Sequence, residues 1–275
     1  MTASSDPDRH QRRLFAIILL RRPVWSPAKR IAMTKRTKST PQTRCQGRSN
    51  CNACALRRDM VCGDVTLEDL IDFHAGIDDF DFPPGAALFE AGTPADGVYC
   101  VRGGAVKMVH IEPSGVARIV RVLKLGDVAG LESVFREKYD YSAIAVDTVR
   151  ACRIPMSYFR KFIGDHGDLQ MRLIESSQAA LAEAQNWLAQ IVGGTTPART
   201  RMARLLLKLR SGSGDRIIRF SGEDMAAILG ITFETVSRVI SEFGRMGILQ
   251  KVYGGKSNSY FRGDIAALEK IALEG

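Results

Sequence analysis

The stretch Ser221-Gly222-Glu223-Asp224-Met225-Ala226-Ala227-Ile228-Leu229-Gly230-Ile231-Thr232-Phe233-Glu234-Thr235-Val236-Ser237-Arg238-Val239-Ile240-Ser241-Glu242-Phe243 decides the fold. Ser221 stands three residues before Asp224, the spacing at which a side-chain oxygen caps a helix start. Met225, Ile228 and Leu229 then recur on one helical face, and Gly230 ends the helix. Thr232 caps a second helix whose buried face is Val236, Val239, Ile240 and Phe243. Two short helices joined by a glycine turn predict a helix-turn-helix. Residues 248–252 and 259–261, joined through Gly254-Gly255, predict a two-stranded wing.

Such a module reads DNA with the N-terminal half of its second helix. Glu234, Ser237 and Arg238 fall at i, i+3 and i+4 and share a face. Glutamate can accept from cytosine N4, arginine can bridge guanine O6 and N7, and serine can serve either role. The competing reading is a solvated Glu–Arg pair worth only ~0.2–0.5 kcal/mol. Thr235 and Arg245, with Lys251 and Lys256 on the wing, are the candidate phosphate contacts.

Upstream, Thr196-Pro197 predicts an N-cap and first helical position, with Met202, Leu205, Leu206 and Leu209 as an apolar face. Residues 217–220 predict a short strand. Before Gly193-Gly194, residues 168–192 predict a long helix. Ile174, Ser177, Leu181, Ala184, Leu188 and Ile191 are spaced 3, 4, 3, 4, 3 along it, a seam suited to a homodimer interface.

From Pro83 to Pro155 the texture is β. Runs at 86–89, 98–102, 105–111, 116–124, 142–146 and 149–154 are separated by turns such as Pro83-Pro84-Gly85, Gly103-Gly104 and Pro113-Ser114-Gly115. That spacing predicts a sandwich or jelly roll. Residues 66–80, opening on Thr66 with Glu68-Asp69 in the first turn, predict a short amphipathic helix through Leu67, Leu70, Ile71 and Phe73.

The whole chain of 275 residues carries a net charge of +9, unevenly spread. Residues 1–50 contribute +10, residues 51–194 contribute −6, residues 195–262 contribute +7 and the last thirteen −2. A basic module beside an acidic body points to nucleic acid at one end. The longest early apolar run, residues 14–20, is far short of the ~20 residues a membrane helix needs, and arginines flank it. Residues 1–44 read as a disordered basic tail, and Met33 offers an alternative start with no motif upstream of it. The expected organisation is this tail, a cysteine loop (45–65) and jelly-roll sensor within 45–166, a dimerisation helix over 167–194, and a winged helix-turn-helix over 195–275. The fold class is thus α+β. Catalysis is not expected: the four histidines, His10, His74, His110 and His166, form no ligand-spaced or nucleophile–base pattern, and no phosphate-binding glycine loop is present.

Four of six cysteines, Cys45, Cys51, Cys54 and Cys62, lie within 18 residues, while Cys100 and Cys152 stand alone. Cys51-x2-Cys54-x7-Cys62 brings three thiolates near one point, and thiolates suit zinc or an iron–sulfur cluster. A fourth ligand is available in Cys45, Cys100 or Cys152. Cys100, within Val98-Tyr99-Cys100-Val101, reads as a core residue.

The run Leu229-Gly230-Ile231-Thr232-Phe233-Glu234-Thr235-Val236-Ser237-Arg238, behind a jelly roll and long helix, resembles the catabolite activator/FNR superfamily of bacterial transcription regulators, and its Glu-x-x-Ser-Arg resembles the FNR branch. The likeness covers about residues 51–265. It implies double-stranded DNA with a TTGAT/ATCAA-type palindrome, Glu234, Ser237 and Arg238 as base readers, a cytoplasmic homodimer, RNA polymerase as partner, and activator control of anaerobic or microaerobic metabolism. It also implies an oxygen-labile [4Fe–4S] cluster on Cys51, Cys54, Cys62 and Cys152, the last within Val149-Arg150-Ala151-Cys152-Arg153-Ile154-Pro155, with Cys45 as the runner-up ligand. The alternative is a regulator of the same fold whose cysteines hold structural zinc or respond to nitric oxide or thiol oxidation. Where nucleotide-binding members carry Arg-Ser/Thr-Ala against the phosphate, this chain has Tyr141-Ser142-Ala143, and a tyrosine supplies no charged bidentate contact. A cyclic nucleotide is therefore not the expected ligand.

Overall fold

The computed structural model describes residues 43–51, 54, 76–192, 196–254 and 258–274. Among the described residues nine strands build the sensor: β1 (Arg44–Arg48), β2 (Asp78–Phe82), β3 (Ala87–Phe89), β4 (Gly97–Gly103), β5 (Val106–Ile111), β6 (Ala117–Leu123), β7 (Val128–Ala129), β8 (Ser142–Ala145) and β9 (Val149–Pro155). They form a five-stranded sheet in the order β1-β2-β9-β4-β7 facing a four-stranded sheet in the order β3-β8-β5-β6. This is the jelly roll expected from the β texture. Side-chain alternation places β9 between two cores. Val149 and Ala151 face the interior with Phe82, Phe89, Tyr99 and Tyr139. Cys152 and Ile154 face outward and are covered by Phe159, Phe162, Leu169 and Leu173.

Those covering residues belong to α1 (Met156–Asp165) and α2 (Gly167–Trp187). A π-helical turn, Leu188–Val192, ends the long helix. The DNA-binding module follows as α3 (Ala198–Lys208), β10 (Arg216–Ile218), α4 (Gly222–Leu229), α5 (Phe233–Arg245), β11 (Leu249–Gly254), β12 (Asn258–Gly263) and α6 (Ile265–Leu273). The wing is a three-stranded sheet in the order β10-β12-β11. A third core runs from the sensor into this module: Val109, Ile119 and Val122 of β5 and β6 pack with Trp187, Ile191, Met202, Leu206 and Ile228.

Several expectations need correction. The helix expected over 66–80 falls largely outside the described residues, and its last positions, 78–80, open β2 instead. Asp78–Phe82 extends because it pairs with β1 on one side and β9 on the other. The cysteine loop is likewise not loop throughout, since β1 holds Cys45 opposite Phe80. Thr196 is not the cap of α3. Pro197 occupies that place and makes no side-chain capping bond. The tail before residue 43, Gly193-Gly194, Cys62, Gly255 and Lys256 lie outside the described residues. Ile191, the last member of the expected dimer seam, is fully buried in its own chain and cannot meet a partner.

Candidate nucleic-acid interface and cysteine site

The helix-turn-helix forms as its capping pattern dictates. Ser221 Oγ accepts the Asp224 N–H at 3.0 Å, Gly230 takes φ 60° to end α4, and Thr232 Oγ1 accepts the Thr235 N–H at 3.3 Å to start α5. Val236, Val239, Ile240 and Phe243 are buried, which turns Glu234, Ser237, Arg238 and Arg245 to solvent on the other side. The Glu234 carboxyl is held below its usual range by its own amide and by the Thr232 hydroxyl, so it is presented as an acceptor. Thr235 is only half exposed, and its hydroxyl lies 3.2 Å from Thr232 Oγ1. Lys251 is exposed on β11. Arg199 braces the module from behind, pairing with Glu242 of α5 at 2.9 Å and Glu274 at 3.0 Å.

Sequence reasoning missed the aromatic clamps of the wing. Arg216 lies over the Tyr260 ring at 4.5 Å, and Arg219 over Tyr253 at 5.7 Å. Arg216 and Tyr260 lie on the paired strands β10 and β12, while Arg219 follows β10 and reaches Tyr253 on β11, so neither contact is readable from one strand alone.

Cys51, Cys54, Cys100 and Cys152 share one apolar cluster at the outer face of the five-stranded sheet. The register aligns Gly47, Asp79, Cys152 and Cys100 in a row across β1, β2, β9 and β4. Cys51 and Cys152 are both 8% exposed and share one apolar cluster, against which Cys54 packs. The Cys54 N–H donates to the Cys51 carbonyl at 3.3 Å, closing the x2 turn. The Ser49 hydroxyl bonds Asp79, and Arg102 Nη1 donates to both Asp79 oxygens at 2.7 Å. Hydrogen bonding with Cys100 and the Arg102 charge hold the Cys152 thiol below its usual range, against burial and Asp79. Arg102 also feels the charges of Cys54 and Cys152, so one guanidinium faces two of the expected ligands.

Cys45 is exposed and shares its row with Phe80 and Ala151, both turned to the interior side of the sheet. It therefore points away from Cys152. Cys62, the third member of the triad, is outside the described residues. Among the described residues no three of His, Cys, Asp or Glu converge tightly enough to hold a metal ion. The described thiols suit a thiolate site in kind: they are soft donors, with Cys51 and Cys152 buried and Arg102 nearby.

Along α2 and into the π-helical turn the seam is exposed where a partner would need it. Ile174 is 55%, Leu181 53% and Leu188 64% exposed, and Ala184 is exposed with them. Inside the roll, Phe89 stacks on Tyr139 with centroids 3.8 Å apart, and Ser142 Oγ accepts the Ala91 N–H at 3.0 Å.

Family models match both halves of this architecture, a cyclic nucleotide-binding domain over residues 80–166 and a Crp-like helix-turn-helix domain over residues 200–271. The chain belongs to the Crp/FNR family. This Crp/FNR protein is a DNA-binding transcription regulator, and its fold is that of the family's solved members. It is 27% identical to the nitrogen fixation regulation protein FixK of Bradyrhizobium diazoefficiens, over 75% of this chain and 89% of that one. It is 24% identical to the anaerobic regulatory protein of Haemophilus influenzae, over 59% of this chain and 65% of that one. The structure of FixK2 from Bradyrhizobium japonicum superposes with a TM-score of 0.60 at 25% identity, covering 72% of the Crp/FNR chain and 98% of its counterpart. Among the described residues no helix is long and apolar enough to cross a membrane.

Proposed function

We infer that the protein is an oxygen-responsive regulator of anaerobic or microaerobic metabolism that binds a TTGAT/ATCAA-type palindrome as a homodimer and acts with RNA polymerase as an activator. The observation that carries the sensing half is the gathering of Cys51, Cys54 and Cys152 on one outer sheet face beside Arg102. Cys51, Cys54, Cys62 and Cys152 are the ligands of choice for a [4Fe–4S] cluster. The direction of Cys45, away from Cys152, argues against the runner-up. When bound, such a cluster supplies oxygen-labile iron–thiolate bonds.

The chain's own residues supply the rest. Cys152 anchors on β9, whose outer face packs under α1 and α2, so tension at Cys152 reaches the long helix through Phe159, Phe162, Leu169 and Leu173. Ile174, Leu181, Ala184 and Leu188 then form the pairing stripe between two copies of α2. Pairing sets two copies of α5 one DNA turn apart, with Glu234, Ser237 and Arg238 on base edges and Arg245, Lys251 and Lys256 on phosphates. Names of relatives, an anaerobic regulatory protein among them, support the metabolic reading. The Phe89–Tyr139 stack inside the roll and the engaged Ser142 hydroxyl favour a sensor other than cyclic nucleotide.

The test is purification without oxygen, followed by iron, acid-labile sulfide and visible spectroscopy before and after air. About four iron and four sulfide per chain, with a brown band that bleaches in air and is lost in Cys152→Ser, supports the reading. Stoichiometric zinc and no colour overturns the sensing half and leaves the DNA-binding half standing.

A further inference from the structure

A cleft of about 770 Å³ opens between the sensor and the DNA-binding module. Arg102, Lys124 and Arg150 line it from the sensor, and Arg210 and Arg216 from the module. The sensor-side cations come from the segment whose net charge is −6, so the basic lining runs against local composition. One carboxylate, Asp147, is on the wall, and its Oδ1 is taken by the Ala105 N–H at 2.8 Å.

The partners of these cations are the second observation. Lys124 Nζ donates to the Lys208 carbonyl at 2.9 Å, Arg210 Nε donates to the Gly214 carbonyl at 2.6 Å, and Arg216 stacks on Tyr260. These partners are neutral. Among the described residues neither they nor Arg150 makes an ion pair, whereas Arg102 is satisfied by Asp79. Four like charges thus face one space whose single carboxylate, Asp147, lies near Arg216 and is already hydrogen-bonded to the Ala105 N–H, an excess of positive charge that an anion relieves. Arg150 lies over bare backbone, because a Cβ at Gly103 would stand 3.3 Å from its Nε and Nη2. The remaining wall is mixed. Leu125 and Ile218 offer apolar surface, and Thr148 and Ser211 offer hydroxyls. The volume suits a ligand of some tens of atoms.

We propose that this cleft is a binding site for a nucleoside polyphosphate, with the phosphates among Lys124, Arg150, Arg210 and Arg216 and the nucleoside against Leu125 and Ile218. None of the cysteines lines the site, although Arg102 borders both it and the cysteine face, and the proposal rests on neither the cluster nor the palindrome. Because its walls belong to two modules, occupancy ties the sensor to the DNA-binding module and changes DNA affinity through their relative placement.

The experiment is calorimetric titration of the full chain with GTP, ATP and inorganic pyrophosphate, repeated on Arg150→Ala and Arg150→Lys. One saturable site per chain is expected, tighter for at least one nucleotide than for pyrophosphate. Arg150→Ala weakens it by about tenfold or more, the loss of one charge-assisted contact. Arg150→Lys retains most of the affinity, and the thermal midpoint is unchanged in both because Arg150 is exposed. Absence of saturable binding at millimolar ligand, equal affinity for pyrophosphate and nucleotides, or indifference to Arg150→Ala each overturns the proposal. So does an Arg150→Ala effect confined to DNA with long flanks, which would make duplex phosphate the occupant.

Discussion

Lys107 Nζ stands 2.5 Å from Asp224 Oδ1, joining β5 of the sensor to the first turn of α4 in the DNA-binding module. Both side chains are about one-fifth exposed, at 19% and 21%. Asp224 is doubly placed, since its own amide is the one that Ser221 caps. The pair therefore sits at the polar edge of the shared core in which Val109 and Val122 meet Ile228. Lys107→Met removes the charge and leaves Asp224 half-desolvated beside the sensor. We expect a loss of about 1–2 kcal/mol, between the values for exposed and for buried pairs. Calorimetry checks it: the transition of the two modules broadens or splits as their docking weakens. A single unshifted transition would mean that the apolar contacts alone set the docking.

The exposed face of α5 predicts two kinds of loss on DNA. Arg238→Ala removes a candidate bidentate guanine contact, costs about 1–3 kcal/mol on the cognate palindrome and relaxes discrimination at one base pair. Lys251→Ala removes a phosphate contact, weakens all sequences alike and lowers the slope of log affinity against log salt by about 1. Both residues are exposed, so melting temperatures stay unchanged. Anisotropy titrations at several salt concentrations separate the two behaviours.

The parts legible in the sequence were those whose cause is local. The caps at Ser221 and Thr232 and the stop at Gly230 are set by residues three or fewer positions apart. The runs that became β4, β5, β6, β8 and β9 carry their own apolar alternation. β1 was not legible, because Arg44–Arg48 is exposed throughout and is a strand only by pairing with β2. β2 was hidden by its three aspartates, one of which, Asp79, earns its place through Arg102 on another strand. The packing of Cys51 and Cys54 against the cluster of Cys152 was expected from family likeness rather than spacing, since it joins residues about a hundred positions apart. The cleft was invisible for the same reason: its cations are scattered from position 102 to 216 and share no local pattern.

Two residues of the expected seam predict opposite outcomes. Leu181 is 53% exposed, and Leu181→Glu leaves the fold of the chain intact while placing a charge in the α2 pairing stripe. Sedimentation shows a monomer, and affinity for a two-half-site duplex falls while the melting temperature of the chain holds. Ile191 is fully buried against Trp187 and the module core. Ile191→Ala costs about 2–5 kcal/mol of stability through lost contacts and a cavity. It changes association only as far as it unfolds the chain. If Ile191→Ala dissociated a dimer without lowering stability, the burial of Ile191 in its own chain would be wrong.

Asp147 sets a pH dependence with a definite sign. Burial pushes its carboxyl above the usual carboxylate range, and the Ala105 amide and the Arg216 charge only partly offset this. A carboxyl raised in the folded state holds its proton where the unfolded chain has released it. Its contribution to stability is therefore greatest below the unfolded pKa and declines as pH rises through the folded one. Asp147→Asn keeps an oxygen for the Ala105 N–H and removes the charge that burial disfavours. The variant should match the parent at the acid end of that window and exceed it in stability at neutral pH. Denaturant midpoints across pH 4 to 7 measure the difference. A gain that is the same at every pH would trace to packing rather than to the carboxylate, and a loss at neutral pH would mean that attraction to Arg216 outweighs the cost of burial.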